Sequence, residues 1–179
     1  MLRAALLVAA LVPATAGAEE TKCRGSLGAV TVDNLKVPRG ATCILTGTKV
    51  KGTIKVKDDA TLIARGVRVI GNVQAEGAKR VNVVDSSKVG GSVQVKQGGA
   101  AKVLDSRVKG DIQYDDNSKL LKANRNEVGG SIQVMQNFGG AKLFSNVIDG
   151  NLQCKQNEPK PQGGGNVVGG NKEDQCKRF

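Results

Sequence analysis

Aliphatic residues flank a glycine at a spacing that repeats along most of the chain. The glycines lie 19 or 20 residues apart, at Gly52, Gly71, Gly91, Gly110, Gly130, Gly150 and Gly170. An aliphatic residue stands two positions before each glycine, at Val50, Val69, Val89, Val108, Val128, Ile148 and Val168. Another stands two positions after most of them, at Ile54, Val73, Val93, Ile112, Ile132 and Leu152. A period this short and constant predicts a stack of like structural units.

Each unit combines an alternating stretch with a second short apolar stretch. Alternation around the glycine, as in residues 89–95, is typical of a strand, and an apolar stretch such as 101–104 follows a polar turn. Strands this short pair poorly within one unit, but each can pair with the same strand of the next unit, ~4.8 Å away. The pattern predicts an all-β, single-domain parallel β-helix, which we expect to be right-handed, with 7–8 coils of about 20 residues.

Residues 1–18 are predicted to be a secretory signal peptide. Arg3 precedes an apolar run over 4–12, and Ala16 and Ala18 frame a small-residue cleavage site. A membrane anchor is the disfavoured alternative, because a bilayer span takes ~20 apolar residues. We therefore expect an exported protein, periplasmic or extracellular, without a transmembrane segment.

The remaining chain divides into three segments. Residues 19–47 are predicted to form an N-terminal cap and a degenerate first coil, and 48–154 the regular coils. The pattern fails after Leu152, so 155–179 are predicted to form a C-terminal cap, which protects the open β edge that a solenoid would otherwise expose.

Four cysteines fit this export prediction as structural disulfides. Cys23 and Cys43 are 20 residues apart, and Cys154 and Cys176 are 22 apart, each close to one coil. Residues one coil apart are stacked neighbours, at ~5 Å, which lies within the range of bridged Cα atoms. We predict these two pairs, one at each end. A zinc site is disfavoured because the chain has no His and no C-x-x-C spacing, so we expect no metal and no cofactor.

Two polar rows recur three positions and one position after the glycine. The first is a glutamine ladder, Gln74, Gln94, Gln113, Gln133 and Gln153. Stacked amides can hydrogen-bond to one another, so we favour a stabilising role over sugar binding. The second row is small and polar, suited to a flat hydrated face, and consists of Thr53, Asn72, Ser92, Asp111, Ser131 and Asn151.

A third row, three positions before the glycine, is basic. It consists of Lys49, Arg68, Lys88 and Arg107, and ends at Glu127. Like charges on adjacent strands repel, so stability alone does not favour this basic ladder. The sequence has a formal charge of +11, and the ladder suggests an anionic glycan or lipid as partner. A solvated face that only preserves solubility is the alternative. Nucleic acid is the weakest candidate, because no aromatic stacking platform is present.

Catalysis is disfavoured by the composition. The chain lacks His, the commonest general base. The best carboxylate pairs, Asp58 with Asp59 and Asp115 with Asp116, follow alternating strands, where turns prefer Asp. They lie about three coils apart, roughly 14 Å at strand spacing, too far for a glycosidase pair. We therefore expect no enzyme.

The repeated core resembles that of bactofilin-type polymer-forming proteins. The resemblance lies in the heptapeptides that begin at Val89 (VGGSVQV), Val108 (VKGDIQY) and Val128 (VGGSIQV), and extends over roughly 48–154. It implies a right-handed β-helix, and it raises self-association through the coil ends as a possibility. Bactofilins are cytoplasmic and have open ends, whereas this chain has a signal sequence and cysteines at both ends. The leading hypothesis is an exported, non-enzymatic protein with a structural or envelope-associated role. The alternative is a module that binds an anionic polysaccharide or lipopolysaccharide through the basic ladder.

Overall fold

Three parallel sheets run the length of the molecule and share one core. The computed structural model describes residues 19–179, and the predicted signal peptide, 1–18, lies outside the described residues. Each coil contributes one strand to each sheet, and each strand pairs with the equivalent strands of the coils before and after it. The predicted all-β parallel solenoid, with about 8 coils of roughly 20 residues, is confirmed. Its right-handedness stays a prediction.

The strands are short and regularly distributed. Sheet A has nine strands, β1 (Glu20–Lys22), β4 (Asn34–Val37), β7 (Ile54–Val56), β10 (Val73–Glu76), β13 (Val93–Lys96), β16 (Ile112–Asp115), β19 (Ile132–Met135), β22 (Leu152–Lys155) and β25 (Lys172–Asp174). Sheet B has eight, β2 (Gly25–Leu27), β5 (Thr42–Thr46), β8 (Thr61–Arg65), β11 (Arg80–Val84), β14 (Ala100–Leu104), β17 (Leu121–Asn124), β20 (Ala141–Phe144) and β23 (Gln162–Gly164). Sheet C has eight, β3 (Thr31–Val32), β6 (Lys49–Val50), β9 (Arg68–Val69), β12 (Lys88–Val89), β15 (Arg107–Val108), β18 (Glu127–Val128), β21 (Val147–Ile148) and β24 (Val167–Val168).

Alternation decides which side chains enter the core. In β13, Val93 and Val95 are fully buried while Gln94 points outward, and β16 repeats this with Ile112 and Tyr114 inside. The coils stack in register, so like residues form continuous aliphatic rows. Burying each Val, Leu or Ile contributes ~1.5–3 kcal/mol, and the rows thereby supply a core that contains few aromatic side chains.

The recurring glycines lie at the corner between sheets C and A. A Cβ placed on Gly71 would lie 2.7 Å from the carbonyl oxygen of Gly52 and 2.8 Å from Oγ1 of Thr53. The backbone of one coil therefore passes directly over that of the coil before. Close approach, and not a left-handed backbone, requires glycine at this corner.

The small polar row serves the same corner. Its side chains are mostly half-buried, and each accepts a hydrogen bond from the backbone of the next coil. The Ser92 N–H donates to Oδ1 of Asn72 at 2.8 Å, and the Asp111 N–H donates to Oγ of Ser92 at 3.0 Å. The expectation of a flat hydrated face was therefore wrong, because these side chains complete the backbone hydrogen bonding of a sharp turn.

Strand pairing extends on both sides of residues 48–154. At the N-terminal end β1 pairs with β4, and at the C-terminal end β22 pairs with β25, where Lys172 aligns with Leu152. Residues 175–179 then fold across the last coil: the Gln175 N–H donates to the Cys154 carbonyl at 3.0 Å, and Phe179 packs against the core. Within residues 19–179, no helix is long and apolar enough to cross a membrane.

Candidate binding surfaces

The basic ladder lies on the outer face of sheet C. Lys49 pairs with Arg68, Arg68 with Lys88, and Lys88 with Arg107, all in parallel register. Each strand of this sheet has two residues, of which the valine points into the core and the basic residue into solvent. The alternation that builds the core therefore also aligns the four cations at ~4.8 Å intervals.

Only the first three positions of the ladder carry unpaired charge. Nε of Arg107 donates to Oε2 of Glu127 at 2.8 Å, and its Nη2 donates to the same oxygen, so this pair is neutral overall. Among residues 19–179, no carboxylate lies within ion-pair distance of Lys49, Arg68 or Lys88. The sheet C row thus changes from positive to neutral at its midpoint.

A shallow groove runs beside this row. It has a volume of about 320 Å³, and Arg68, Lys88, Arg107 and Lys109 line it together with Ile70. The Ile70 side chain is 49 % exposed. The groove therefore presents cationic groups around an apolar patch and fits an anionic ligand with an apolar face.

The glutamine ladder occupies the middle of sheet A and is partly hydrogen-bonded. Nε2 of Gln74 donates to Gln94 at 3.4 Å, and Nε2 of Gln94 donates to Gln113 at 3.0 Å. Gln113 then donates to Asp111 at 3.4 Å, while Gln153 donates to Glu173 at 2.9 Å. The amide chain is therefore broken after Gln113, and the row is held by several kinds of acceptor.

The cysteines lie in the two pairs that their spacing predicts. The Cα atoms of Cys23 and Cys43 are 5.6 Å apart, and those of Cys154 and Cys176 are 5.3 Å apart. Each pair joins two adjacent coils, one pair at each end of the stack. Disulfides are typical of oxidising compartments, which supports an exported protein.

The aspartates considered for catalysis lie at turns. Asp59 and Asp116 adopt the left-handed conformation, with φ of 56° and 54°, at equivalent corners between sheets A and B. Asp tolerates this conformation because its short side chain hydrogen-bonds locally. Within the described part of the chain, no group of three His, Cys, Asp or Glu residues could hold a metal ion. The absence of catalysis stays a prediction.

One ion pair on the corner between sheets B and C perturbs a carboxyl group. Nε and Nη2 of Arg125 donate to the two oxygens of Asp105 at 2.6 and 2.7 Å. These hydrogen bonds stabilise the carboxylate and hold the pKa of Asp105 below its ordinary value. Both residues adopt left-handed φ angles one coil apart, so the corner geometry itself brings them together.

Sequence analysis missed two rows of buried asparagines that run up the corners. They comprise Asn117, Asn137 and Asn157 between sheets A and B, and Asn126, Asn146 and Asn166 between sheets B and C. In each row the side-chain amide donates to the next asparagine, as Asn126 does to Asn146 at 3.1 Å. Their regular spacing of 20 residues was the available signal. A row of lysines on sheet B, considered below, was also missed.

Comparison of the chain with family models, curated proteins and solved structures found no match.

Proposed function

We propose that this chain is an exported, non-enzymatic β-solenoid with a structural or envelope-associated role. The observation that carries the proposal is the uninterrupted three-sheet stack, joined across its end coils by Cys23–Cys43 and Cys154–Cys176. Such a stack holds outward side chains in fixed rows over its whole length. A scaffold of this kind acts through surfaces, which agrees with a sequence that lacks His and places its best carboxylates at turns.

Export is tested by the processing of the protein. The chain, expressed from its full sequence, should reach the periplasm or medium with Glu19 as its first residue and without free thiols. Mass spectrometry of intact protein, with and without alkylation under denaturing conditions, measures both properties. An intact N-terminus at Met1 together with four free thiols would contradict the proposal.

A second candidate function is binding of an anionic polysaccharide or lipopolysaccharide through the basic ladder. Its support is the row of Lys49, Arg68 and Lys88, which stack in register without a carboxylate partner among residues 19–179. A linear polyanion can contact several such cations at once. Association would release counterions, as phosphate binding does for nucleic acids, and so weaken with added salt.

A charge-matched comparison tests this second function. One variant carries Lys49→Gln, Arg68→Gln and Lys88→Gln, and the control carries Lys57→Gln, Lys79→Gln and Lys119→Gln at exposed positions outside the strands. Both lose three charges, so a general effect of net charge cancels. Isothermal titration with an anionic envelope polysaccharide at low and moderate salt should show loss of affinity in the ladder variant alone. Equal loss in both variants would show that the charge acts generically.

Self-association through the coil ends, the property implied by the resemblance to bactofilins, receives less support. Residues 175–179 lie across the last coil, and Cys176 links them to Cys154. An added molecule would have to displace this segment before its strands could pair with β25.

A further inference from the structure

The outer face of sheet B differs in charge from the other two faces. Its eight strands contain no Asp or Glu, whereas the strands of sheet A contain five acidic residues and those of sheet C one, Glu127. The same sheet B strands contain five basic residues, which are Arg65, Arg80, Lys102, Lys122 and Lys142. The absence of acidic residues from these strands leaves this face positive along its length.

Three of these lysines form a continuous row. Lys102 pairs with Lys122, and Lys122 pairs with Lys142, in parallel register. All three side chains are half-buried, and among residues 19–179 none has a carboxylate within ion-pair distance. Like charges stacked at strand spacing destabilise a sheet. The row therefore suggests an anionic partner, because it does not help the fold.

Exposed apolar side chains flank the lysine row. Leu120 stands two positions before Lys122 and is 40 % exposed, while Phe144 stands two positions after Lys142 and is 38 % exposed. Phe138, in the preceding turn, is 63 % exposed. Two of the three phenylalanines of the chain thus lie in solvent beside the lysines.

The turn that carries Phe138 is fixed by its neighbours. The Phe138 N–H donates to the Asn117 carbonyl at 2.9 Å, and the Asn137 side chain before it is fully buried. Gly139 packs against the backbone of Lys119, where a Cβ would collide, and Gly140 has a φ of 78°. The exposed ring therefore sits on a rigid turn, and its exposure is not a product of a loose loop.

We propose that sheet B docks on the surface of an anionic lipid bilayer. Lys102, Lys122 and Lys142 would contact lipid phosphates, with their stems along the sheet and their charges at the headgroups. Phe138 and Phe144 would enter the boundary between headgroups and acyl chains, as the apolar face of an interfacial element does. A dissolved polyanion would satisfy the lysines but leave the rings in water. This face is separate from the basic ladder on sheet C, so the inference goes beyond the proposed function.

Vesicle flotation tests the charge component. The protein, expressed from its full sequence, is mixed with phosphatidylcholine vesicles that either contain or lack phosphatidylglycerol. One variant carries Lys102→Gln, Lys122→Gln and Lys142→Gln, and the matched control carries Lys49→Gln, Arg68→Gln and Lys88→Gln. Each basic side chain near an anionic surface contributes about fivefold, so the sheet B variant should lose on the order of 100-fold in partitioning. The sheet C control should lose much less.

A second pair of variants tests the apolar component. Phe138→Ser with Phe144→Ser should reduce binding to the anionic vesicles at moderate salt, whereas Val147→Ser with Val167→Ser, at exposed positions on sheet C, should not. These substitutions also keep the test decisive if a charge variant fails to fold. The proposal is overturned if the protein does not bind anionic vesicles, if both charge variants lose binding equally, or if loss of the two rings changes nothing. Binding to dissolved heparin through the sheet B lysines, without binding to vesicles, would assign the row to a polymer instead.

Discussion

At the scale of single residues, the corners of the coil depend on buried amides. Nδ2 of Asn137 donates to the carbonyl of Tyr114 at 3.0 Å and to Oδ1 of Asn157 at 2.9 Å, while its own Oδ1 accepts from the Asn117 backbone at 2.9 Å. A turn leaves backbone groups without strand partners, and buried polar groups are costly unless they are hydrogen-bonded. The asparagine rows provide those partners from one coil to the next.

Asn137→Ala should lower the free energy of unfolding by roughly 3 kcal/mol, because several buried groups lose their partner at once. Gln133→Ala, on the outer face of the same coil, is the matched control and should change stability by about 0.5 kcal/mol or less. Denaturant unfolding followed by circular dichroism measures both values. Equal effects from the two substitutions would contradict the role assigned to the buried row.

The Asp105–Arg125 pair predicts a pH dependence at a single corner. The pKa of Asp105 is lowered in the folded state, so its contribution to stability is present above the ordinary Asp value and is lost as the pH falls through the lowered pKa. Arg125→Gln should raise the pKa of Asp105, which carboxyl-carbon NMR titration reports. Asp33, whose pKa is lowered by Lys51, serves as the internal control and should not respond. An unchanged Asp105 titration would show that the ion pair does not persist in solution.

At the scale of strands and coils, the sequence was informative where the pattern is periodic. Alternation around Gly91 identified the strand, its inward side and its neighbours one coil away, because a period of two in the side chains fixes both faces at once. The partner of each cysteine followed from the same period. The arrangement into three sheets was not predicted, because the strands of sheet C are only two residues long.

Corner chemistry and charge pairing could not be predicted in the same way. Asn72 and Ser92 look like ordinary surface residues in sequence, and only the crossing of two backbones at the glycine corner reveals them as acceptors. Arg107 looks equivalent to Lys88, yet the residue one coil further on, Glu127, neutralises it. Each of these contacts depends on geometry between coils, which an alternation pattern does not specify.

This pairing predicts that the basic ladder can be lengthened. Glu127→Gln should free Arg107 and extend the unpaired row from three cations to four, which should strengthen binding of an anionic polysaccharide severalfold and steepen its salt dependence. Glu158→Gln, at an exposed position away from sheet C, makes the same change in net charge. A ladder function requires the first substitution to exceed the second in a titration at two salt concentrations.

At the scale of the whole molecule, the ends determine the stability of the stack. A solenoid is held by contacts between neighbouring coils, so its terminal coils fray most easily. Cys23–Cys43 and Cys154–Cys176 link those terminal coils to the next ones and restrict the unfolded chain as well. Removing either link should therefore act on the end that contains it.

Replacing both Cys154 and Cys176 by Ser should lower the free energy of unfolding by about 3 kcal/mol, the value expected for a loop of this length. Amide exchange should accelerate in β23, β24 and β25 and remain slow in the central coils. Hydrogen exchange read by mass spectrometry resolves the two regions. Uniform acceleration along the chain would contradict a link that acts locally.

Every proposal above depends on one finite rod that is closed at both ends. Sheet A has nine strands, which at ~4.8 Å spacing make a rod of roughly 40 Å. Small-angle X-ray scattering with light scattering, over a wide range of concentration, measures mass and length together. A constant mass of one chain and a maximum dimension that matches this short rod support the account. A mass per particle that grows with concentration at constant cross-section would show end-to-end polymerisation and contradict it.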